Sequence, residues 1–446
     1  MIDARDAVLP AGAGWLRRVA AGEGPIYRRV FEALRAAVAD GELSAGEQLP
    51  PQRTVAGLLG VDFTTVTRAY ALAREQGLVE GAAGRGTFVR RRAGEEEAGF
   101  VDLSMNLPPQ PQGLSLAALL RETTAQVLAR TDPATLMAYH AGPGSLAQRA
   151  AGAAWLAPGL GAVDPERIVV CAGAQAALSA ILAVETAPGD AVIVEALTYP
   201  GLLAALAARG VRAVACPMDA EGIMPEALAE RLAATGARLV VVTPAWQNPT
   251  TATMGPLRRA AVVKACAAAG ARLVEDDAYG RLPEQAPEAL AALAPERTWH
   301  VATLAKALTP GLRIAYVVAP DPACAERLAA AGHALCQMPP PLMAAVAAAW
   351  IRDGTAEAIL AGVRAEAAAR RALAAEILPL AVGPVGCLHV WLDRAVGGSA
   401  EGLSLASASL FAAPGVQAEG ARLSLGAPGK QAVLASALRR VAASFT

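Results

Sequence analysis

Lysine is rare in this chain, because Lys264, Lys306 and Lys430 are the only three among its 446 residues. Lys264 lies within the helical pattern RRAAVVKACAAAG and Lys430 lies near the C-terminal end, so we expect both to project into solvent. Lys306 comes just after TWHVATL, an apolar run typical of a strand. Ligands of open α/β sheets bind where the strands end. Lys306 is therefore the candidate nucleophile that forms a Schiff base with a carbonyl group.

Acidic and hydrogen-bonding side chains follow two other apolar runs. Asp276 ends the run ARLVEDD, and Tyr279 comes three residues later. Asn248 follows the run ARLVVVTP. A carboxylate keeps a pyridine nitrogen protonated, whereas a phenol and an amide can each donate a hydrogen bond to a phenolate oxygen.

A phosphate site is predicted by Gly173-Ala174-Gln175, which stands between the run RIVVCA and an alanine-rich helix, because a helix N-terminus with small residues binds anions. Thr303 and Arg313 flank Lys306 and are expected to complete this site, and Tyr199 is a candidate to stack on a ring. Each of these features alone has an ordinary alternative explanation. The Gly-Ala-Gln sequence is a common turn, the acidic residues can cap a helix or form a metal-like pair, and a single lysine is usually a solvated charge. In this order they predict a pyridoxal 5′-phosphate (PLP) site with the cofactor on Lys306.

Alternating strands and helices are expected to position these side chains. Alanine-rich helical stretches separate most of the apolar, β-branched runs, which is typical of an α/β fold: a large doubly wound domain with a mostly parallel sheet. Residues from about 330 onward are predicted to be helical and then to form short strands around CLHVWL and ARLSLG, which indicates a small α+β lobe. The runs predicted to form the large sheet are RIVVCAG, DAVIVEA, VRAVACP, ARLVVVTP, ARLVEDD, TWHVATL and RIAYVVAP.

The first ninety residues predict a different function. Residues 25–80 contain three helical patterns, and the last two, RTVAGLLG and FTTVTRAYALAREQG, are joined by the turn Gly60-Val61-Asp62. Two helices joined by a short glycine-containing turn form a helix-turn-helix, which places its second helix in the DNA major groove. The following LVEGAAGRGTFVRR predicts a β-hairpin. The alternative is a three-helix module that contacts another protein.

The start of the last helix is expected to face the bases. Threonine hydroxyls donate to phosphates and base edges, and Phe63 can contact a thymine methyl group. Arginines nearby neutralise phosphates, and an arginine at the hairpin tip can enter the minor groove. The candidate DNA-binding residues are Arg53, Phe63, Thr64, Thr65, Thr67, Arg68 and Arg85.

The two parts of the chain differ in net charge, in the direction expected if the first part binds DNA. Residues 1–92 hold thirteen arginines and ten acidic residues, a net charge of +3, whereas the remainder holds 26 basic and 30 acidic residues, a net charge of −4. A positive N-terminal part suits nucleic-acid binding. The hydrophobic content of 54% favours a folded protein, and the length favours two or three domains.

The sequence also argues against a membrane protein, a secreted protein and a metalloprotein. No apolar run is long enough to cross a membrane, and the first thirty residues lack a secretory pattern. The six cysteines have no metal-like spacing, which indicates free thiols in a cytoplasmic protein without a metal. The expected boundaries are an N-terminal arm at 1–24, a winged helix-turn-helix at 25–92, a short linker at 93–100 that overlaps the charged RRRAGEEEAG stretch, and a PLP-binding domain at 101–446.

Residues 25–89 resemble the GntR-type winged helix along their whole length. The LP-x-x-R element, the L-G-V turn and the closing G-x-G-T-F-V carry the resemblance. It implies that Arg53, Thr64 and Thr65 contact DNA. Asp62 and Phe63 depart from it, since serine or threonine followed by arginine is usual there, and this departure concerns base preference rather than fold.

Residues 101–446 resemble fold-type I PLP-dependent aminotransferases, most closely the aminoadipate and kynurenine group. The resemblance assigns the cofactor contacts to the residues already named, and adds that Tyr139 reaches the phosphate of a partner subunit and that Arg422 grips a substrate α-carboxylate. Ala305 and Gln148 depart from it, where serine and leucine are usual. The motifs that carry it are YHAGPGSLAQR, GAQ, TYPG, TPAWQNPT, EDDAYG, TLAKALTPGLR and RLSLG.

A GntR-like winged helix followed by an aminotransferase-like domain resembles the MocR subfamily of bacterial regulators. This resemblance implies PLP as the cofactor, a homodimer formed through the large domain, and domain-swapped DNA-binding heads that bind promoter DNA. Two functions follow. In the first, an amino compound or PLP itself changes the protein's grip on DNA. In the second, the chain is a working aminotransferase with a regulatory DNA-binding domain.

Overall fold

The computed structural model describes residues 13–21, 24–40, 42–43, 47–82, 86–89, 100–285, 288–380, 383–394 and 402–445. The chain divides into two compact units, Met1–Ala98 and Gly99–Thr446. Within the described residues, no helix is both long enough and apolar enough to cross a membrane. All six cysteines are free, and five of them are buried.

The first unit is a winged helix-turn-helix. Gly60 ends the second helix with a positive φ of 62°, and the Asp62 side chain accepts a hydrogen bond from the Thr64 amide to begin the third. The glycine permits the left-handed turn, and the aspartate satisfies an amide that the helix leaves unpaired. The two strands pair antiparallel as predicted. The elements are a 3-10 helix (Gly14–Ala21), α1 (Ile26–Ala39), α2 (Gln52–Leu59), α3 (Phe63–Glu75), β1 (Val79–Ala82) and β2 (Gly86–Val89).

The core of this unit extends further toward the N-terminus than the sequence indicates. Trp15 and Leu16, on the 3-10 helix, are completely buried and belong to the same cluster as Leu34 and Tyr70. Residues 1–24 are predicted to be an arm, yet the described part of that segment packs into the hydrophobic core. The 3-10 helix has only eight residues, a short window in which the pattern alone does not predict a helix.

The strands of the second unit build one large sheet and a small lobe. Along the chain they are β3 (Val101–Asp102), β4 (Ile168–Cys171), β5 (Ala191–Glu195), β6 (Arg212–Cys216), β7 (Met218–Asp219), β8 (Gly222–Ile223), β9 (Leu239–Val242), β10 (Arg272–Asp276), β11 (Thr298–Thr303), β12 (Ala315–Val318), β13 (His389–Leu392), β14 (Leu403–Ser404), β15 (Ala406–Ser407) and β16 (Ala421–Ser424).

The large sheet has the order β4-β12-β11-β10-β9-β5-β6. Strands β6, β5, β9, β10 and β11 are parallel, and β12 runs antiparallel to both of its neighbours. All six residues of β11 are buried. Helices cover both faces of such a sheet, so its strands appear in the sequence as continuous apolar runs. The predicted α/β fold with a mostly parallel sheet is confirmed.

The helices of this unit separate the strands as expected. They are α4 (Leu116–Arg130), α5 (Pro133–Leu136), α6 (Leu146–Leu160), α7 (Ala174–Glu185), α8 (Pro200–Ala208), α9 (Pro225–Thr235), α10 (Pro256–Ala268), α11 (Leu290–Leu293), α12 (Leu304–Ala307), α13 (Pro322–Cys336), α14 (Pro341–Arg352), α15 (Thr355–Ile377) and α16 (Gln431–Ala443).

The small lobe brings the beginning of the unit beside its end. Strand β16 pairs antiparallel with β13 and β15, and β3 pairs parallel with β14. Val101 and Leu103 lie in one buried cluster with side chains of α15 and α16. The chain that follows β3 is thereby held against the lobe that carries Arg422 on β16.

Candidate functional site

Lys306 lies at the sheet edge where β11 ends. It belongs to the four-residue helix α12, which begins after Thr303, whose hydroxyl accepts a hydrogen bond from the Ala305 amide. The Lys306 Nζ donates to the Asn106 carbonyl oxygen at 2.5 Å. Burial, assisted by the Arg422 charge and opposed by Asp276, lowers the pKa of Lys306 to about 8. A lysine with a lowered pKa is more often neutral and can therefore act as a nucleophile.

Asp276 is the last residue of β10 and is buried. Among the residues that the structure describes, its Oδ1 has no hydrogen-bond partner. Burial, together with the neighbouring Asp277 charge, raises the pKa of Asp276 to about 7. A buried carboxylate oxygen without a donor is suited to the N–H of a protonated pyridine ring, so this residue fits PLP.

Tyr279 and Asn248 are both buried near this carboxylate. The Tyr279 hydroxyl accepts a hydrogen bond from Asn106 Nδ2 at 2.9 Å, and Asn248 Oδ1 accepts one from Arg422 Nη1 at 2.8 Å. Burial raises the pKa of Tyr279, so the phenol keeps its proton and remains a donor. Both side chains therefore keep a donor that could serve a phenolate oxygen.

A cradle suited to phosphate lies where α7 begins. Gly173 has a φ of 86° and precedes the helix, and a Cβ built on it would lie 3.0 Å from Arg313 Nη2. Arg313 is exposed and itself has a positive φ of 53°. Gln175 Nε2 donates to the Gly201 carbonyl, whereas its Oε1 has no partner among the described residues. Open space beside helix amides, including that of Ala174, with a guanidinium close by, fits an anion.

The two tyrosines differ in position. Tyr199 is partly buried where α8 begins, and its pKa is raised by burial and by the Asp276 charge, while Arg313 and Arg422 oppose this rise. Those interactions place it with the other predicted site residues. Tyr139 is 80% exposed, so a single chain does not bring it into the site.

The site also contains four residues that the sequence analysis did not name, which are Ser104, Phe411, Asn106 and His389, and the first two contact the predicted Arg422. Arg422 Nη2 donates to the Ser104 carbonyl oxygen at 2.5 Å, and its guanidinium lies 5.0 Å from the centre of the Phe411 ring. The others are Asn106 and His389, which are hydrogen-bonded to each other at 3.1 Å. A histidine within the apolar run CLHVWL is a usable signal. The sequence contains no such signal for Ser104 and Asn106, because no strong strand pattern precedes them.

The predicted DNA-binding residues lie at the start of α3 and beside it. Arg53 lies 5.8 Å from the centre of the exposed Phe63 ring, and Arg68 stacks on Tyr27 at 4.0 Å. The Thr64 and Thr67 hydroxyls are already engaged, with Asp62 and with Gln52 respectively. Thr65 is partly buried, and Arg85 lies outside the described residues.

Comparison with known proteins gives the same division. Residues 98–384 match the family aminotransferase class I and II, and residues 26–89 match bacterial regulatory proteins of the gntR family. The pyridoxine biosynthesis regulator PdxR of Corynebacterium glutamicum is 31% identical over 67% of this chain and 66% of its own length. The regulator TauR of Rhodobacter capsulatus is 28% identical, over 78% and 79%. The chain belongs to the MocR-type GntR regulators.

Solved structures resemble the larger unit of this MocR-type protein. The α-aminoadipate aminotransferase LysN of Thermus thermophilus, complexed with N-(5′-phosphopyridoxyl)-L-leucine, has a TM-score of 0.70 and 24% identity, and the match covers 84% of this chain and 97% of LysN. The kynurenine aminotransferase of Pyrococcus horikoshii also has a TM-score of 0.70. These likenesses show the fold. The larger unit is a PLP-binding domain. When bound, PLP supplies an aldehyde that reacts with an amine and a ring that withdraws electrons.

Proposed function

We propose that this MocR-type regulator responds to an amino compound bound at its PLP site, and that the segment Ser104–Asn106 reports whether the site is filled. Two hydrogen bonds support the proposal. Lys306 Nζ donates to the Asn106 carbonyl oxygen, and Arg422 Nη2 donates to the Ser104 carbonyl oxygen, each at 2.5 Å.

These two cationic groups are the ones that ligands need. Lys306 is the amine to which the PLP aldehyde would attach, and Arg422 is the guanidinium that would grip an α-carboxylate. In the structure both groups donate to carbonyl oxygens of the segment Ser104–Asn106. PLP attached to Lys306 would remove the first of these charge-assisted hydrogen bonds, and an amino compound would free Lys306 again while its carboxylate competes for Arg422. A ligand shifts an equilibrium only through such differential contacts.

The segment Ser104–Asn106 is well placed to pass on the change, because of what precedes and follows it. The Val101 amide donates to the Gly402 carbonyl and the Leu103 amide to the Ser404 carbonyl, which fastens β3 to the small lobe. Beyond Asn106, a Cβ on Gly426 would collide with the Leu107 carbonyl, so the chain is tightly packed there. Upstream of β3, the chain leads through the predicted linker at 93–100 to the DNA-binding unit.

The same proposal includes the cofactor contacts, the DNA-binding surface and the homodimer. The cofactor contacts are those predicted from the sequence, and the winged helix of residues 25–92 binds promoter DNA through the start of α3. A homodimer is supported by large apolar side chains that are exposed between residues 137 and 146: Met137 is 74% exposed, Tyr139 80% and Leu146 65%. Exposed apolar side chains that form a contiguous patch mark interaction surfaces. In the dimer Tyr139 would reach the partner's phosphate, and the protein would act in the cytoplasm.

The test is a DNA-binding titration on the intergenic DNA that adjoins the protein's own gene. The PLP-loaded protein should change its affinity for this DNA when amino acids or amines are added. Lys306→Ala should still bind DNA, because the DNA-binding unit has its own core, but should no longer respond. Lys264→Ala, which changes an exposed lysine, should respond normally. A Lys306→Ala protein that responds like wild type would overturn the proposal.

A working aminotransferase is the second candidate. The lowered pKa of Lys306 and the buried Asp276 favour it, since both groups suit proton transfer chemistry as well as binding. Amino-group transfer from an amino acid to a keto acid, followed by product formation, tests it directly. Turnover that supports growth, with normal promoter control in Lys306→Ala cells, would make the enzyme the main function.

A further inference from the structure

Three consecutive acidic residues lie at the end of β10: Glu275 and Asp276 are its last two residues, and Asp277 follows it. Because strand side chains alternate, Glu275 and Asp277 point to one face of the sheet and Asp276 points to the other. Asp276 faces the PLP site, whereas its two neighbours face away from it. On the neighbouring strand β11, His300 lies directly opposite Glu275 in the parallel register.

His300 bridges the two flanking carboxylates. Its Nδ1 lies 3.0 Å from Glu275 Oε2, and its Nε2 lies 3.4 Å from Asp277 Oδ2. The side chain is 2% exposed, and that of Glu275 is 1% exposed. A neutral imidazole has only one N–H, so a ring that faces a carboxylate oxygen at both nitrogens is held as the doubly protonated imidazolium.

The remaining charges around this group form a closed set. From α10, Arg259 Nη1 lies 3.5 Å from Glu275 Oε1, and the amides of Leu290 and Ala291 donate to Glu275 at 3.0 Å each. Burial raises the pKa of Asp277, and the charges of His300 and Arg259 oppose this rise. When both carboxylates are ionised, the two negative charges of Glu275 and Asp277 face the two positive charges of His300 and Arg259. The flanking charges therefore cancel, and Asp276 is left as the charge directed at the cofactor.

We infer that His300 is a positioning residue for the cofactor: held between Glu275 and Asp277, it offsets their charge so that Asp276 stays ionised and would pair with the pyridine nitrogen. The inference concerns cofactor binding and goes beyond the proposed regulation by amino compounds. Without the imidazolium, the Asp277 carboxylate would stand uncompensated beside Asp276. Two adjacent buried carboxylates disfavour double ionisation, so Asp276 would retain a proton and no longer hold one on the ring nitrogen.

The charges around Asp276 shift its pKa in the directions that this role of His300 requires. Its pKa is raised by burial and by Asp277, and is lowered by Lys306 from α12 and by His300 from β11. Glu195 at the end of β5 also faces this group, since the charge of Asp276 raises the pKa of Glu195, though less than burial does. Of the two groups that keep Asp276 ionised, His300 is the one that does not itself react with the cofactor.

The experiment compares two ligands in the full-length protein: PLP, and a PLP analogue in which carbon replaces the ring nitrogen. Dissociation constants are measured by ultrafiltration for wild type, His300→Gln, Asp277→Asn and the double variant. Wild type should prefer PLP. His300→Gln should lose about tenfold of this preference, or about 1.4 kcal/mol, through weaker PLP binding with little change for the analogue. The double variant removes one charge of each sign and should regain the preference.

The control His333→Gln makes the same substitution at an exposed histidine on α13 and should behave as wild type. Equal weakening of both ligands in His300→Gln would mean that His300 only supports the fold, and would overturn the inference. If His300→Gln fails to fold in a melting experiment, the double variant decides. Balanced charges must then give wild-type preference, and a preference as low as that of Asp276→Asn overturns the inference.

Discussion

Arg422 and Asn248 are joined by a hydrogen bond of 2.8 Å from the guanidinium Nη1 to the amide Oδ1. A guanidinium can only donate, so this bond turns the amide oxygen of Asn248 toward Arg422 and leaves the amide NH2 group for another acceptor. The residue expected to grip an effector carboxylate therefore also orients a residue expected to donate to the cofactor phenolate. We therefore expect effector binding and the state of the cofactor to be coupled through this pair.

Replacing Arg422 with glutamine should affect both ligands. The affinity for α-amino acids should fall about tenfold or more, because a charge-assisted contact contributes about 1.5–3 kcal/mol. The visible absorbance of bound PLP should also shift, since Asn248 is no longer held. Amines without a carboxylate should bind almost as before. Arg439→Gln, at an exposed position on α16, is the control. Unchanged spectrum and unchanged amino acid affinity would remove Arg422 from the site.

Borohydride treatment of the PLP-loaded protein should fix the cofactor on Lys306. The protein should be yellow before reduction and lose its visible absorbance afterwards, because the bond from the lysine nitrogen to the cofactor becomes saturated. Peptide mapping by mass spectrometry identifies the modified residue. The exposed Lys264 and Lys430 serve as internal controls, and a label found mainly on either of them would contradict the site.

Asp276→Asn should stabilise the cofactor-free protein relative to wild type as the pH rises from 4 to 8. The folded-state pKa of Asp276 is raised to about 7, so wild type loses stability as the pH rises through this value, and the asparagine variant has no such loss. Each unit of pKa shift corresponds to about 1.4 kcal/mol. Melting temperatures at pH 5 and pH 8 measure the effect. An equal difference between the two proteins at both values would show that Asp276 does not titrate in this range.

Arg53→Ala should lessen the salt dependence of DNA binding. If this side chain neutralises one phosphate, the slope of log affinity against log salt should fall by about 0.9 for each head. Arg74→Ala is the matched control, since Arg74 is an exposed arginine near the opposite end of α3. A slope that is the same for wild type and Arg53→Ala would mean that Arg53 does not contact the DNA backbone.

The sheet and the cofactor site could be predicted because their signals are local. Buried parallel strands appear as apolar runs, and β9, β10 and β11 lie where these runs predicted them. Lys306 was found by elimination among three lysines. The polar residues that follow strands were expected to meet at one edge, and Asp276 and Lys306 do so.

The remaining features depend on contacts that no local pattern encodes. Asn106 touches Lys306, Tyr279 and His389, which are up to 283 residues away in sequence. His300 looks like an interruption of an apolar strand until the register sets it opposite Glu275. Such residues become visible only when strand order and register are known.

The buried position of Trp15 sets a limit on how the protein can be divided. The gntR family match begins at residue 26, whereas the hydrophobic core of the first unit already includes Trp15 and Leu16. Removing a buried tryptophan side chain typically costs about 3–5 kcal/mol, much of the stability of a domain this small. A DNA-binding fragment cut at the family boundary would therefore be several kcal/mol less stable than one that begins at residue 13 or earlier, which keeps its interior filled.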